Sequence, residues 1–147
     1  VLKRYYHIGV AVDTDRGLIV PIIRDVDRKN ILDLAIDLKT VAERTREGKA
    51  GRDDLLGGSF TITNIGPLGG TAFSPIINFP QVAILGLAQA RWQPGVLGAA
   101  ERRQVVPRLI LPLILAFDHR VNDGADAARF LNRHKEILED PQKFILI

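Results

Sequence analysis

The sequence contains neither cysteine nor methionine among its 147 residues. Without cysteine the chain can form no disulfide scaffold, no thiolate metal site and no cysteine nucleophile. Aromatic residues make up only 6% of the chain and the basic residues are dispersed, which argues against a nucleic-acid-binding surface. The longest apolar run, residues 109–117, is interrupted by Pro112 and falls far short of the roughly 20 residues that cross a bilayer, so no membrane span is expected.

The remaining composition predicts one globular domain spanning residues 1–147. Hydrophobic residues account for 46% of the chain, which is enough to build a core at this length. Glycine and proline are present in ordinary numbers, so disorder is not expected. The net charge of +3 indicates either a mildly basic surface or an attraction for an anionic partner.

Hydrophobic periodicity predicts a mixed β-sheet with helices packed on it, an α/β layered domain. The first helix should follow Asn30, whose side chain can cap it, and should end near Gly48. The second helix should span Ala125 to Leu138. The segments with strand character are residues 7–12, 18–23, 59–63, 82–88 and 109–117, and a long loop rich in glycine and proline covers residues 64–80.

His119 and Asp123 lie where the last predicted strand meets the last predicted helix. Such a corner holds a side chain rigidly while exposing its tip, as a general base requires. The alternatives are structural: His119 as a satisfied core histidine, and Asp123 as the N-cap of the helix. The other two histidines, His7 and His134, are interpreted as structural, and the three are too scattered in the sequence to predict a metal site.

The motif Asp118-His119-Arg120-x-x-Asp123-Gly124 resembles the active-site signature of the dihydrolipoamide acyltransferases, the E2 components of the 2-oxo acid dehydrogenase complexes. The chloramphenicol acetyltransferases share the His-x-x-x-Asp-Gly part, but they typically carry histidine where this chain has Asp118. Further blocks are similar to E2, so that the resemblance covers nearly the whole chain. These blocks are residues 9–14, 16–21, 60–66, 69–73 and 75–78.

The resemblance implies a chloramphenicol-acetyltransferase-like fold and acyl transfer between dihydrolipoamide and coenzyme A. The acetyl group ranks first as the acyl group, ahead of branched-chain and succinyl groups. In this family the histidine at the position of His119 removes the proton of the acceptor thiol. The hydroxyl at the position of Thr63 stabilises the oxyanion, although by composition alone Thr63 is only a β-branched strand residue. Asp123 would support the corner that holds His119, and no metal ion is needed.

The resemblance also implies that residues 1–147 are the C-terminal part of an N-terminally truncated catalytic domain, without the lipoyl and subunit-binding domains. Lipoamide would therefore arrive on a separate lipoyl domain. The expected partners are two further copies in a homotrimer, which joins a cubic or dodecahedral shell, and the E1 and E3 components through the missing domains. His119 of one copy would face Thr63 of its neighbour. The expected compartment is the bacterial cytoplasm or the mitochondrial matrix.

Two features of the sequence leave alternatives open. The apolar tail Phe144–Ile147 is predicted to be an assembly element, the alternative being that it packs back onto its own domain. The absent N-terminal portion leaves room for two other functions. One is a free-standing acetyltransferase of the chloramphenicol type, and the other is a truncated, non-catalytic assembly scaffold.

Overall fold

The computed structural model describes residues 2–98 and 102–144, which form nine strands and two α-helices. The helices are α1, Ile31–Arg46, and α2, Gly124–Glu139. The strands are β1 Ile8–Val10, β2 Val12–Thr14, β3 Gly17–Ile19, β4 Ile22–Ile23, β5 Phe60–Asn64, β6 Ala83–Leu87, β7 Arg91–Leu97, β8 Gln104–Ile110 and β9 Leu113–Phe117.

Five strands form the central sheet in the order β4-β1-β5-β6-β9. The pairs β1–β5 and β5–β6 are parallel, whereas β1–β4 and β6–β9 are antiparallel. The prediction of a mixed sheet with packed helices is confirmed. Two antiparallel ribbons, β2–β3 and β7–β8, lie outside this sheet.

Both helices begin with the side-chain caps that their sequences predict. The Asn30 side chain accepts a hydrogen bond from the Asp33 backbone N–H at 2.9 Å, and α1 ends just before Gly48, whose φ of 72° suits glycine. The Asp123 carboxylate accepts a hydrogen bond from the Asp126 N–H at 2.8 Å. Helix α2 therefore starts at Gly124, the last residue of the motif that contains His119.

The prediction that residues 109–117 form one buried strand is wrong. The segment divides at Pro112: Leu109 and Ile110 belong to the β7–β8 ribbon, and the central sheet resumes at Leu113. Proline has no N–H to donate to a ladder, while the Pro112 carbonyl accepts a hydrogen bond from the Ala88 N–H at 3.2 Å. The two halves of this apolar run thus belong to strands of two different sheets, with Pro112 between them.

One face of the β7–β8 ribbon is apolar and exposed. Cross-strand register places three pairs of apolar residues on this face: Trp92 with Leu109, Pro94 with Pro107, and Val96 with Val105. Trp92 and Val105 are 70% and 72% exposed, and nothing within residues 2–98 and 102–144 covers the strip. Continuous exposed apolar surface of this kind is typical of an interaction site.

Two further sequence predictions concern the apolar tail and membrane spans. The apolar tail is described only at the backbone of Phe144, so its proposed assembly role lies outside the described residues. Across the described ranges, no helix combines the length and the apolar character that a membrane crossing would need.

Candidate active site

Asp118 organises the backbone of the loop that carries His119. Its N–H donates to the Val82 carbonyl at 2.8 Å, which ties the end of β9 to the segment before β6. Its own carbonyl accepts hydrogen bonds from Val121 and Asn122, at 3.0 and 3.1 Å. The chain therefore turns sharply after β9, and His119 lies at the turn with an exposed side chain.

The Asp118 carboxylate and the Arg120 side chain form a forked ion pair on either side of His119. The carboxylate accepts the Arg120 backbone N–H at 3.0 Å, the Nε at 2.9 Å and a terminal guanidinium nitrogen at 2.6 Å. These side-chain and backbone hydrogen bonds lower the pKa of Asp118 to about 2. Because the pKa of Asp118 is lower in the folded chain than in the unfolded chain, the ion pair favours the folded state at pH values above the usual carboxyl pKa. That contribution disappears as the pH falls through about 2.

Among the described residues, the imidazole of His119 has one aromatic neighbour. The ring centroids of Phe117 and His119 are 5.6 Å apart, with the planes inclined at 41°. No residue of the described ranges hydrogen-bonds the His119 ring. Its nitrogens are thus available to an external group, while the backbone that carries the ring is held by the turn.

Asp123 lies in the same loop, where its carboxylate is engaged by the helix. Besides the side-chain bond to Asp126, its backbone carbonyl accepts the Ala127 N–H at 3.1 Å. This geometry agrees with the N-cap interpretation. The Asp123 carboxylate is therefore engaged as the cap of α2.

Thr63 lies in β5, opposite Gly86 of the neighbouring β6. The Phe73 ring, from the long loop, lies so close over Gly86 that a Cβ there would come within 2.6 Å of it. Thr63 is partly exposed, and its hydroxyl has no hydrogen-bond partner among the described residues. By contrast Thr61, on the same face, is fully buried and donates to the Gln81 side chain at 2.6 Å.

His119 and Thr63 do not meet within one chain. Thr63 is level with Gly86, which is level with Ile114 at the start of β9. From Ile114 to Phe117 the chain advances about 10 Å away from Thr63, and the intervening β6 adds roughly 9–10 Å sideways. His119 lies beyond that point, so the register places the two residues at opposite ends of the sheet.

The other two histidines have structural partners. The His7 Nδ1 accepts the Asp25 backbone N–H at 3.0 Å, which supports a left-handed turn at Asp25 with φ 51°. The His134 Nδ1 lies 2.8 Å from the Phe130 carbonyl within α2. Across residues 2–98 and 102–144, no group of three or more potential metal ligands is present.

Comparison with known proteins assigns the family. The family model for the 2-oxoacid dehydrogenases acyltransferase (catalytic domain) matches residues 1–146. The chain belongs to this family. The family assignment agrees with the resemblance carried by the Asp118–Gly124 motif and the blocks upstream of it.

The similarity extends to curated relatives and solved structures within the family. The acetyltransferase component of the Haemophilus influenzae pyruvate dehydrogenase complex is 45% identical over 99% of this chain, which spans 25% of that protein. A solved structure of Azotobacter vinelandii dihydrolipoamide acetyltransferase is also similar. It comes from crystallographic and enzymatic work on the role of a serine, a histidine and an asparagine in that enzyme's catalytic mechanism. That structure is 48% identical, with a TM-score of 0.90 over 99% of this chain and 58% of its own.

A second solved structure is the cubic core of a pyruvate dehydrogenase multienzyme complex. It is 48% identical, with a TM-score of 0.89 over 97% of this chain and 57% of its own. These likenesses confirm the chloramphenicol-acetyltransferase-like fold class that the sequence predicts. The chain thus spans little more than half of the catalytic cores that it matches, and a quarter of the curated relative.

The ion pair between Asp118 and Arg120 was not among the sequence predictions, although both residues belong to the quoted motif. The available signal was the opposite charges two positions apart at a predicted turn, where an aspartate side chain commonly accepts a backbone N–H two residues on. The forked geometry depends on the tight turn itself, which periodicity does not reveal.

Proposed function

We propose that the protein transfers an acyl group between dihydrolipoamide and coenzyme A, with His119 as the general base. The observation that carries this proposal is the exposed imidazole at the turn between β9 and α2, in a chain that the acyltransferase catalytic-domain family matches over residues 1–146. The turn holds the backbone, and the ring nitrogens remain available to a substrate thiol.

In the proposed reaction, neutral His119 takes the proton of the acceptor thiol. The resulting thiolate attacks the thioester carbonyl carbon, and the displaced electron pair moves to the carbonyl oxygen. The Thr63 hydroxyl donates a hydrogen bond to this oxyanion. When the tetrahedral intermediate collapses, the second thiolate leaves and receives the proton from His119. The histidine returns to its starting state, and neither a metal ion nor a covalent enzyme intermediate is required.

Asp123 is proposed as structural support for His119. In the Azotobacter vinelandii protein, the asparagine studied follows the histidine by four positions, the same spacing that separates Asp123 from His119. Aspartate and asparagine are equally good N-caps, because each offers a side-chain oxygen to the helix. A role that both residues can fill is one of hydrogen bonding and geometry rather than proton transfer.

We further propose that the site forms between two copies of the chain in a trimer. Within one chain, the strand register keeps His119 and Thr63 at opposite ends of the sheet. The apolar face of the β7–β8 ribbon also lacks a cover among the described residues. A cleft between copies would let two large thiol substrates enter from opposite sides.

The assembly, the partner components and the compartment of the protein are proposed from its relatives. Trimers would join a shell, for which a cubic form is supported by the likeness to a cubic pyruvate dehydrogenase core. Lipoyl and subunit-binding domains outside residues 1–147 would bring lipoamide and the E1 and E3 components. The relative from Haemophilus influenzae is bacterial, which favours the cytoplasm over the mitochondrial matrix.

The test is a steady-state assay of the assembled protein with dihydrolipoamide as the acceptor. Acetyl-, isobutyryl- and succinyl-coenzyme A are compared as donors, and we expect the acetyl compound to give the highest kcat/KM. A preference for the succinyl group would contradict the proposed acyl specificity. Transfer to chloramphenicol instead of dihydrolipoamide would indicate a free-standing acetyltransferase, and absence of transfer to either acceptor would indicate a scaffold.

A further inference from the structure

The two neighbours of His119 in the chain, Asp118 and Arg120, are hydrogen-bonded to each other across it. Asp118 and Arg120 are joined by one backbone contact, 3.0 Å long, and by a guanidinium fork with contacts of 2.6 and 2.9 Å. The Asp118 backbone N–H in turn donates to the carbonyl of Val82, directly before β6. The residue between the two charges therefore has little backbone freedom.

We propose that Asp118 and Arg120 form a positioning pair that holds His119 in the orientation needed for proton transfer. This inference rests on the proposed role of His119 as the general base. A base gains much of its efficiency from being held in a reactive geometry, and a displacement of about 1 Å can cost on the order of 10²-fold in rate. The imidazole has no hydrogen-bonding partner among residues 2–98 and 102–144, so its orientation depends on the backbone turn and on the Phe117 ring.

A role in global stability does not account for this pair. The Arg120 side chain is 88% exposed, and exposed ion pairs contribute little to folding. Loop hydrogen bonds from Val121 and Asn122 to the Asp118 carbonyl would survive the loss of the guanidinium. Removing Arg120 should thus loosen the turn locally while the domain stays folded.

The experiment compares Arg120→Ala, Arg120→Lys and Asp118→Asn in the assembled protein. We expect Arg120→Ala to lower kcat about tenfold, with KM changed less than about twofold, because orientation acts on the chemical step rather than on substrate binding. Arg120→Lys keeps the charge and loses the fork, so its kcat should lie between those of Arg120→Ala and the parent. Asp118→Asn keeps one acceptor for the Arg120 N–H and should resemble Arg120→Lys.

The matched control is Arg44→Ala, which removes another exposed arginine whose guanidinium bonds a carboxylate, that of Asp54 at 3.2 Å. Arg44 lies in α1, in a different segment from the His119 turn, so kcat should be unchanged. Equal losses in Arg44→Ala and Arg120→Ala would overturn the proposal, since they would indicate a general effect of surface charge.

A second readout does not depend on turnover. Side-chain NMR of the three histidines reports the χ1 rotamer of His119, and the Asp118 carboxyl titration reports the ion pair. We expect one rotamer in the parent and several in Arg120→Ala, with the pKa of Asp118 rising from about 2 toward its ordinary range. If His119 keeps one rotamer and kcat is unchanged in Arg120→Ala, the positioning role is excluded. If the parent has no acyltransferase activity, the proposed function fails, and the rotamer measurement alone decides whether the pair positions His119.

Discussion

Replacing His119 by alanine is expected to lower kcat for acyl transfer by about 10²- to 10⁴-fold, the range typical of a lost general base. The side chain is exposed and makes no hydrogen bond within the described ranges, so its removal should leave the fold intact. Steady-state rates with acetyl-coenzyme A and dihydrolipoamide, measured beside a thermal unfolding curve, separate the two effects.

Asp123→Asn provides the comparison within the same loop. Asparagine retains an oxygen for the Asp126 N–H, so α2 should keep its cap and kcat should fall much less than in His119→Ala. Equal losses of kcat in the two folded variants would show that the Asp123 charge takes part in the chemistry. That result would contradict the structural role proposed for Asp123.

The second large effect is expected from Thr63→Val, which retains the shape and the β-branch but removes the hydroxyl. Loss of one oxyanion donor typically lowers kcat on the order of 10²- to 10³-fold. The stability of the domain should change little, because the Thr63 hydroxyl has no partner within the described part of the chain. Unchanged turnover in this variant would exclude the oxyanion role.

Thr61→Val is a matched control in the same strand and on the same face. The Thr61 hydroxyl is buried against Gln81, so its removal should lower the free energy of unfolding by about 1 kcal/mol. Its kcat should stay near that of the parent protein. The two valine variants thus separate a hydroxyl that serves the reaction from one that serves the core.

The sequence predicted those features of the fold that depend on short-range chemistry. Asn30 and Asp123 cap the two helices as expected, because capping needs only a side-chain oxygen three residues before an N–H. The division of residues 109–117 was missed, since apolar content alone does not distinguish one buried strand from two strands in different sheets. Pro112 was the available signal, and it marks the point where the sheets separate.

The members of the candidate site come from the motif and the family resemblance and stay a prediction, whereas their arrangement depends on the fold. The motif around His119 and Asp123 is local, so its geometry follows from one turn. The distance between His119 and Thr63 depends on strand order and direction, which a single sequence does not specify. The guanidinium fork between Arg120 and Asp118 depends on how tightly the chain turns after β9. The resemblance to E2 supplied the expectation of a shared site, and the register of one chain is compatible with it.

The central claim is that His119 of one copy and Thr63 of another act in a single site, and subunit complementation tests it most directly. Oligomers of His119→Ala and of Thr63→Val are dissociated, mixed in equal amounts and reassembled, with exchange confirmed by mass spectrometry. In a cyclic trimer each interface combines two different copies, so random mixing should restore about a quarter of the parent rate, since each interface has that chance of carrying both intact residues. If exchange is complete and the activity never exceeds that of the better variant, the shared site is contradicted.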